Sequence, residues 1–368
     1  MGRLSLLAKS YWIKAPLFAW GFLSLISLFG AGVGCTKKDT AGNSGAPKVV
    51  NLAIWSNYVT PETLKEFETK TGIRVQVAHY SSNEELLAKM QAGASGYDVA
   101  LPSDYMVQVM VKLGLLEKLE RSRISQFKEL DAQFLNKPFD PGNQFSLPYD
   151  WGLTGIAVNR KAYTKPVKGW KEVFSAPELA GRFTLLDDVR ETLGAALKAQ
   201  GLSLNSRKPE EIQKAKELLL KQRPRLKGFT SEPLVPLAMG ESWVAHAYLS
   251  DALQAQKRTQ GTVEFIVPEE GATFWLDNLV IPKGAPHLSE AHQLIEFLLE
   301  AKTMAQTVRQ LFVAPTHRGV FGLLSADLQK NPFLFPKESW SAKSEMIQDL
   351  GEAVSLWDRS WTEIKAAE

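Results

Sequence analysis

One cysteine in 368 residues leaves no second thiol to pair with, so no disulfide framework holds this chain. Five histidines, His79, His246, His287, His292 and His317, never fall at H-x-H or H-E-x-x-H spacing, and no metal site is expected. The chain lacks a G-x-x-x-x-G-K-S/T loop and a G-x-G-x-x-G fingerprint. Gly42-Asn43-Ser44-Gly45 and Gly93-Ala94-Ser95-Gly96 each fall one residue short of a G-x-S-x-G elbow. These absences point away from catalysis, and no cofactor is expected. Net charge is scarce as well. The formal +3 resides in Arg3, Lys9 and Lys14, and from Cys35 onward 40 basic side chains face 40 acidic ones. That balance gives no support to a nucleic-acid partner.

What is present begins with an apolar run from Ala15 to Val33, preceded by those three cations and followed by Gly34-Cys35. The segment resembles a bacterial lipoprotein signal peptide over residues 1–34, with Gly32 where that family usually carries a branched aliphatic residue. The resemblance implies lipidation at Cys35 and a position on the periplasmic side of a bacterial membrane. An uncleaved membrane anchor and an ordinary secretory signal are the alternatives. Residues 35–48 hold no large apolar side chain after the cysteine and read as a flexible tether.

From Val49 short apolar runs alternate with amphipathic segments. Asn51–Trp55 reads as a strand, Thr60-Pro61 opens a helix that Gly72 closes, and Ile73–Ala78 is a second strand. Ser82-Asn83-Glu84-Glu85 begins a helix with a capping box, and Tyr97–Leu101 is a third strand. The order predicts a parallel, doubly wound sheet. A second such region runs through Gly155–Val158 and Arg182–Leu186, Leu279–Pro282 is another buried strand before the helix Ser289–Leu299, and Ser344–Ile364 reads as helix with Trp357 and Trp361 packing on a lobe. Two α/β lobes are the natural count for this length.

Aromatic residues stand repeatedly beside carboxylates or hydroxyls at predicted strand ends: Trp55-Ser56-Asn57-Tyr58, Ser103-Asp104-Tyr105, Tyr149-Asp150-Trp151 and Phe274-Trp275-Leu276-Asp277. Strand ends of open α/β sheets are where ligands bind. Asp188 and Glu191 share one helix face while Arg190 points elsewhere, so the two acids either face a ligand or merely cap the helix. Each aromatic is likewise either wall or core. Asp277, between Trp275 and an apolar strand, requires a cationic or hydrogen-bonding partner. Aromatic walls with several acids and few bases suit an elongated organic cation: each buried methylene contributes about 0.8 kcal/mol, each cation–π contact roughly 0.5–2 kcal/mol. A sugar binder and a glycosidase using two of the acids remain as other readings.

In order and spacing, Ile54–Val59, Ser82-Asn83-Glu84, Tyr97–Ser103, Asn136–Pro141, Pro148–Gly152, Leu186–Glu191 and Phe274–Asp277 together resemble the polyamine-binding proteins of bacterial ABC importers, the spermidine/putrescine-binding type. The resemblance implies a two-lobed periplasmic-binding-protein fold of type II, with residues 49–151 and 279–323 in lobe 1, 152–278 and 324–368 in lobe 2, and crossings near Trp151 and Asp277. It carries over a polyamine site at Trp55, Ser56, Tyr58, Ser103, Tyr105, Asp188, Glu191, Trp275 and Asp277, with Tyr248 where the family often has Trp. Asp104 stands where spermidine-binding members have a small neutral residue. A family glutamine aligns with Ile347, and Gln348 replaces it if the alignment slips by one. The implied partners are a polyamine, an ABC permease with its ATPase, and a membrane reached through the lipid; the chain itself is expected to be a monomer. A polyamine sensor that does not transport is the remaining alternative.

Overall fold

The computed structural model describes residues 48–93, 96–335 and 343–367. The expected signal segment, Cys35 and the tether up to Pro47 lie outside the described residues. From Val49 the local signals act as chemistry dictates. Strand β1 (Val49–Trp55) precedes helix α1 (Pro61–Thr71), where the Thr60 hydroxyl accepts a hydrogen bond from the Thr63 N–H at 3.2 Å. Pro61 occupies the first helical position, where its missing N–H has no helical partner to lose, and Gly72 ends the helix at φ +70°, a conformation costly for a side chain. Thr60→Ala is expected to remove about 1 kcal/mol of stability, seen as a lower urea midpoint at unchanged slope.

The chain continues through β2 (Arg74–Tyr80), α2 (Asn83–Gln91), β3 (Val99–Ala100) and α3 (Asp104–Lys112). Ser82 caps α2, but the Glu85 carboxylate accepts from the N–H and hydroxyl of Ser81 rather than closing the expected capping box. Then follow β4 (Ser146–Asn159), α4 (Trp170–Ser175), β5 (Phe183–Leu186), α5 (Val189–Lys198), α6 (Pro209–Gln222), β6 (Gly228–Thr230), α7 (Leu234–Ala238), β7 (Val244–Tyr248), α8 (Leu249–Arg258) and β8 (Val263–Ile266). The last part comprises β9 (Thr273–Val280), α9 (Leu288–Leu298), α10 (Ala301–Leu311), β10 (Ala314–Pro315), α11 (Ala326–Lys330), β11 (Glu345–Met346) and α12 (Val354–Ala366).

Among the described strands the order is β2-β1-β3-β9-β4-β7-β5-β6, with β8 and β10 also on β4 and β11 on β9. The sheet is mixed, which corrects the parallel expectation. β1, β2 and β3 are parallel to one another, as are β5, β6 and β7, whereas β4 runs antiparallel to β7, β8, β9 and β10. A continuous apolar run reports burial on both faces and carries no information about direction. β4 is buried along its whole length and serves both strand groups: Ser146–Thr154 pair with β9, Thr154–Asn159 with β7 or β8.

One core gathers Leu52, Ile54, Trp151, Leu279, Leu294 and Val308 under α9 and α10. Another holds Ile156, Phe183, Leu193 and Leu219, closed by Trp357 and Ile364 of α12. The expected helix Ser344–Ile364 forms only from Val354. Before it, Glu345–Met346 adds to the edge of β9, and Gly351 at φ +57° precedes the helix. Trp357 is fully buried with its indole N–H on the Ser206 carbonyl at 3.1 Å, and Trp361 meets Phe229 edge-on, so both tryptophans pack as expected.

Candidate functional site

Strand ends and helix starts converge on a cavity of about 310 Å³. Trp275 and Asp277 lie inside β9 rather than ahead of a strand, and their spacing of two puts both on one face. Ser103, the N-cap residue of α3, forms an antiparallel bridge with Asp277 across the sheet. Its backbone N–H donates to the Asn83 side-chain carbonyl at 3.0 Å, and the Asn83 amide donates back to its hydroxyl. Asp188 caps α5 and Glu191 lies in the first turn, while Tyr248 ends β7 and leads into α8. With Trp55, Ser56, Tyr58, Asp104 and Tyr105 these side chains line the cavity.

Gln348 does not join them. It is exposed, its N–H bonded to the Asn205 side-chain carbonyl, and Ile347 faces the cavity instead. Consecutive side chains of extended backbone point to opposite sides, so the two cannot both turn inward. The wall also contains residues that sequence reasoning passed over, notably Asp251, Glu232, Asn83 and His79. Asp251 carried a signal, being an acid in the first turn of the helix that opens at Tyr248. Glu232 carried none.

The aromatic residues form rigid walls. Trp55 meets Tyr80 with ring centroids 4.5 Å apart, and its indole N–H donates to the Leu101 carbonyl. Tyr248 stands edge-on to Trp275, whose indole N–H donates to the Thr154 hydroxyl at 3.1 Å. Trp151, by contrast, is core: it stacks between Phe134 and Phe274.

Among the described residues seven acids line the cavity, Glu85, Asp104, Asp188, Glu191, Glu232, Asp251 and Asp277, and no Lys or Arg does. Several occupy helix starts, where positive helix ends favour an acid: Glu85 in α2, Asp104 in α3, Glu191 in α5 and Asp251 in α8. Capping and site lining thus coincide. Asp188 accepts from the N–H groups of Arg190 and Glu191, while the Glu191 carboxylate does not reach back and instead accepts from the hydroxyls of Thr154 and Thr273.

Burial sets the ionisation of these groups. It pushes Glu191 up to about 8, helped by the neighbouring Asp188 charge and opposed by the Thr273 and Thr154 hydroxyls. Asp277 rises to about 7 through burial, with the Ser103 and Tyr58 hydroxyls pulling it back, and one of its oxygens has no partner. Asp251 rises to about 7 for the same reason, aided by Glu232. Asp188 is raised by burial, and Asp104 is raised far above the usual range although it accepts from the Tyr105 and Leu276 N–H groups. Asp104, Asp188, Glu191, Asp251 and Asp277 are therefore harder to ionise than in water, the condition that a bound cation relieves.

Arg190 points away from the cavity, as its offset of two from Asp188 predicts. Its guanidinium is buried over the rings of Tyr105 and Trp357, behind the wall, where its charge favours the ionised forms of Asp104, Asp188, Glu191 and the buried Glu84. The acids thus have one buried base nearby that does not line the cavity.

A sequence profile of bacterial extracellular solute-binding proteins matches residues 62–336. The chain is 32% identical over 338 residues to a putrescine/cadaverine-binding protein of Pseudomonas aeruginosa, covering 88% of this chain and 96% of that one. It is 35% identical over 316 residues to the spermidine/putrescine-binding periplasmic protein of Escherichia coli, covering 85% and 90%. Among solved structures, a putative spermidine/putrescine ABC transporter from Listeria monocytogenes superposes with a TM-score of 0.83 at 28% identity, covering 87% of this chain and all of that one. A lipoprotein of Treponema pallidum gives 0.76 at 29% identity, covering 86% and 99%.

Proposed function

This chain belongs to the bacterial extracellular solute-binding proteins, and we propose that it captures a polyamine, spermidine or putrescine, and delivers it to an ABC permease. Its fold is the two-lobed α/β fold of that family. The observation that carries the ligand class is the cavity wall: seven acids, no Lys or Arg among the described lining residues, and aromatic faces between the acids. An unpaired ammonium in such a space would be costly, and a buried carboxylate equally so; together they neutralise each other. Methylene spacers lie on the aromatic rings. A micromolar ligand needs only about 8 kcal/mol in total.

The site in this reading consists of Trp55, Ser56, Tyr58, Ser103, Asp104, Tyr105, Asp188, Glu191, Tyr248, Trp275 and Asp277, with Asp251 added and Gln348 left out. β4 and β9 are the crossings between lobes, residues 49–151 and 279–323 forming one and 152–278 with 324–368 the other. No covalent step is involved, which agrees with a family of binding proteins. The protein acts outside the cytoplasmic membrane as a monomer, tethered through lipid on Cys35 and handing its ligand to the permease and ATPase. The small residues before Cys35 support the tether, as does the likeness to the Treponema lipoprotein.

Thermal unfolding with putrescine, spermidine, spermine, arginine and a set of sugars tests the reading. Stabilisation grows with ligand concentration over Kd, by about 2.7 kcal/mol at a hundredfold excess. A polyamine is expected to raise Tm and the sugars to leave it unchanged; the reverse pattern would replace the polyamine reading with a carbohydrate one.

A further inference from the structure

Asp150 does not line the cavity, yet it stands directly opposite Asp277 in the pairing of β4 with β9. A β-bulge produces this placement. Pro148 faces Asn278 and Asp150 faces Asp277, so Tyr149 is the extra residue. Without the bulge Tyr149 would oppose Asp277 and Asp150 would move on to Leu276. Bulges of this kind re-aim a side chain next to a functional site. Directly opposed residues hold their Cβ atoms about 4.5–5.5 Å apart, close enough for two carboxyl groups to feel each other fully.

Both side chains are almost wholly buried, 1% exposed for Asp150 and 2% for Asp277, and each keeps one carboxyl oxygen without a partner. The titratable groups around them are Tyr58 after β1, Tyr80 at the end of β2, the adjacent Tyr149, Asp104 at the start of α3, and Tyr248 at the end of β7. Among the described residues no cation acts on Asp150. Burial, then the Asp277 charge, drives its ionisation far above the usual carboxylate range. Two like charges so placed cannot both persist in an empty site, and their titration belongs to the pair rather than to either residue.

We propose that Asp150 and Asp277 act as one acid pair that holds a single proton while the cleft is empty and releases it to solvent when a primary ammonium group docks on Asp277. The incoming positive charge replaces the proton as the counter-charge. Asp150 is then a positioning residue that acts through Asp277 and couples ligand capture to proton release. This rests on the polyamine reading for its ligand, although the state of the empty pair does not.

Calorimetry of putrescine binding in buffers of different ionisation enthalpy, between pH 7 and 9, counts the protons released. Asp150→Asn keeps the shape and removes the ionisable group. It is expected to release about one proton fewer per putrescine, and its Kd to lose a pH dependence of up to about tenfold per pH unit. Equal proton counts in the two proteins would overturn the proposal. An infrared spectrum of the unliganded protein at pH 8 provides a ligand-free readout: the protonated-carboxyl band should fall by one group in Asp150→Asn, and an unchanged band would also overturn it. If putrescine fails to bind the unaltered protein, the functional reading fails while the spectrum still decides the empty pair. Should Asp150→Asn not fold, Asp150→Ser serves in both measurements with the same expected results.

Discussion

Asp277→Asn is expected to weaken putrescine or spermidine binding more than tenfold, a loss above about 1.4 kcal/mol. The amide keeps the shape of the group, so the loss reports the missing charge. Asp188→Asn combined with Glu191→Gln should produce a loss of at least the same size, because these two acids line the cavity beside a second aromatic wall. Calorimetry decides it, and unchanged affinity in either variant removes those residues from the site. The pH dependence has a definite sign. Ammonium pairs only with the ionised carboxylate, and Asp277 and Glu191 ionise near 7 and 8 in the empty protein. Binding therefore lowers both values and releases protons, so affinity rises from pH 6 to 8 and falls on acidification. The empty protein behaves oppositely. A carboxyl whose value is raised on folding contributes stability below its unfolded value near 4, and loses it as the pH rises through about 7. Ligand should narrow that loss, and a Tm series at pH 5 and 8 with and without putrescine checks it.

Gly152→Ala is the second large effect. Gly152 lies opposite Trp275 in the β4–β9 pairing, and a Cβ there would sit 2.3 Å from the indole ring. The obstacle is a rigid ring held by its N–H on Thr154 and flanked edge-on by Tyr248. Either the backbone moves or the indole leaves its place. Overpacking of this kind costs about 1–3 kcal/mol of stability, and displacing Trp275 removes an aromatic wall from the ligand. Both a lower urea midpoint and weaker putrescine binding are expected. A variant with wild-type stability and affinity would show that the indole has room to retreat, contrary to the packing described.

Short-range chemistry leaves the clearest marks in the sequence. Thr60-Pro61 and Gly72 bound a helix because cap, first position and left-handed stop are each fixed by one or two residues. Asp188 looked like a cap and is one, and the same residue also lines the site, since the positive end of a helix and a bound cation both favour a carboxylate. Gln348 shows the opposite situation. Whether it or Ile347 faced the cleft depended on one residue of register in an extended segment, and register is set by the strand it lies against. Asp150 was visible as an acid between aromatics, but only the bulge at Tyr149 sets it against Asp277.

By itself the sequence determined that the fold must do without disulfides, that α1, α2 and α5 start at the capping side chains of Thr60, Ser82 and Asp188, and that acids recur beside aromatics with little net charge to announce them. Those properties are local, and covalent geometry and side-chain chemistry suffice to impose them. The tertiary structure alone decided that the sheet is mixed, that Glu232 and Asp251 join the site, and that Glu191, Asp251 and Asp277 are buried deeply enough to hold protons near neutral pH. Strand direction, register and desolvation arise from contacts between residues more than a hundred positions apart, such as Asp150 with Asp277, and no local pattern encodes them.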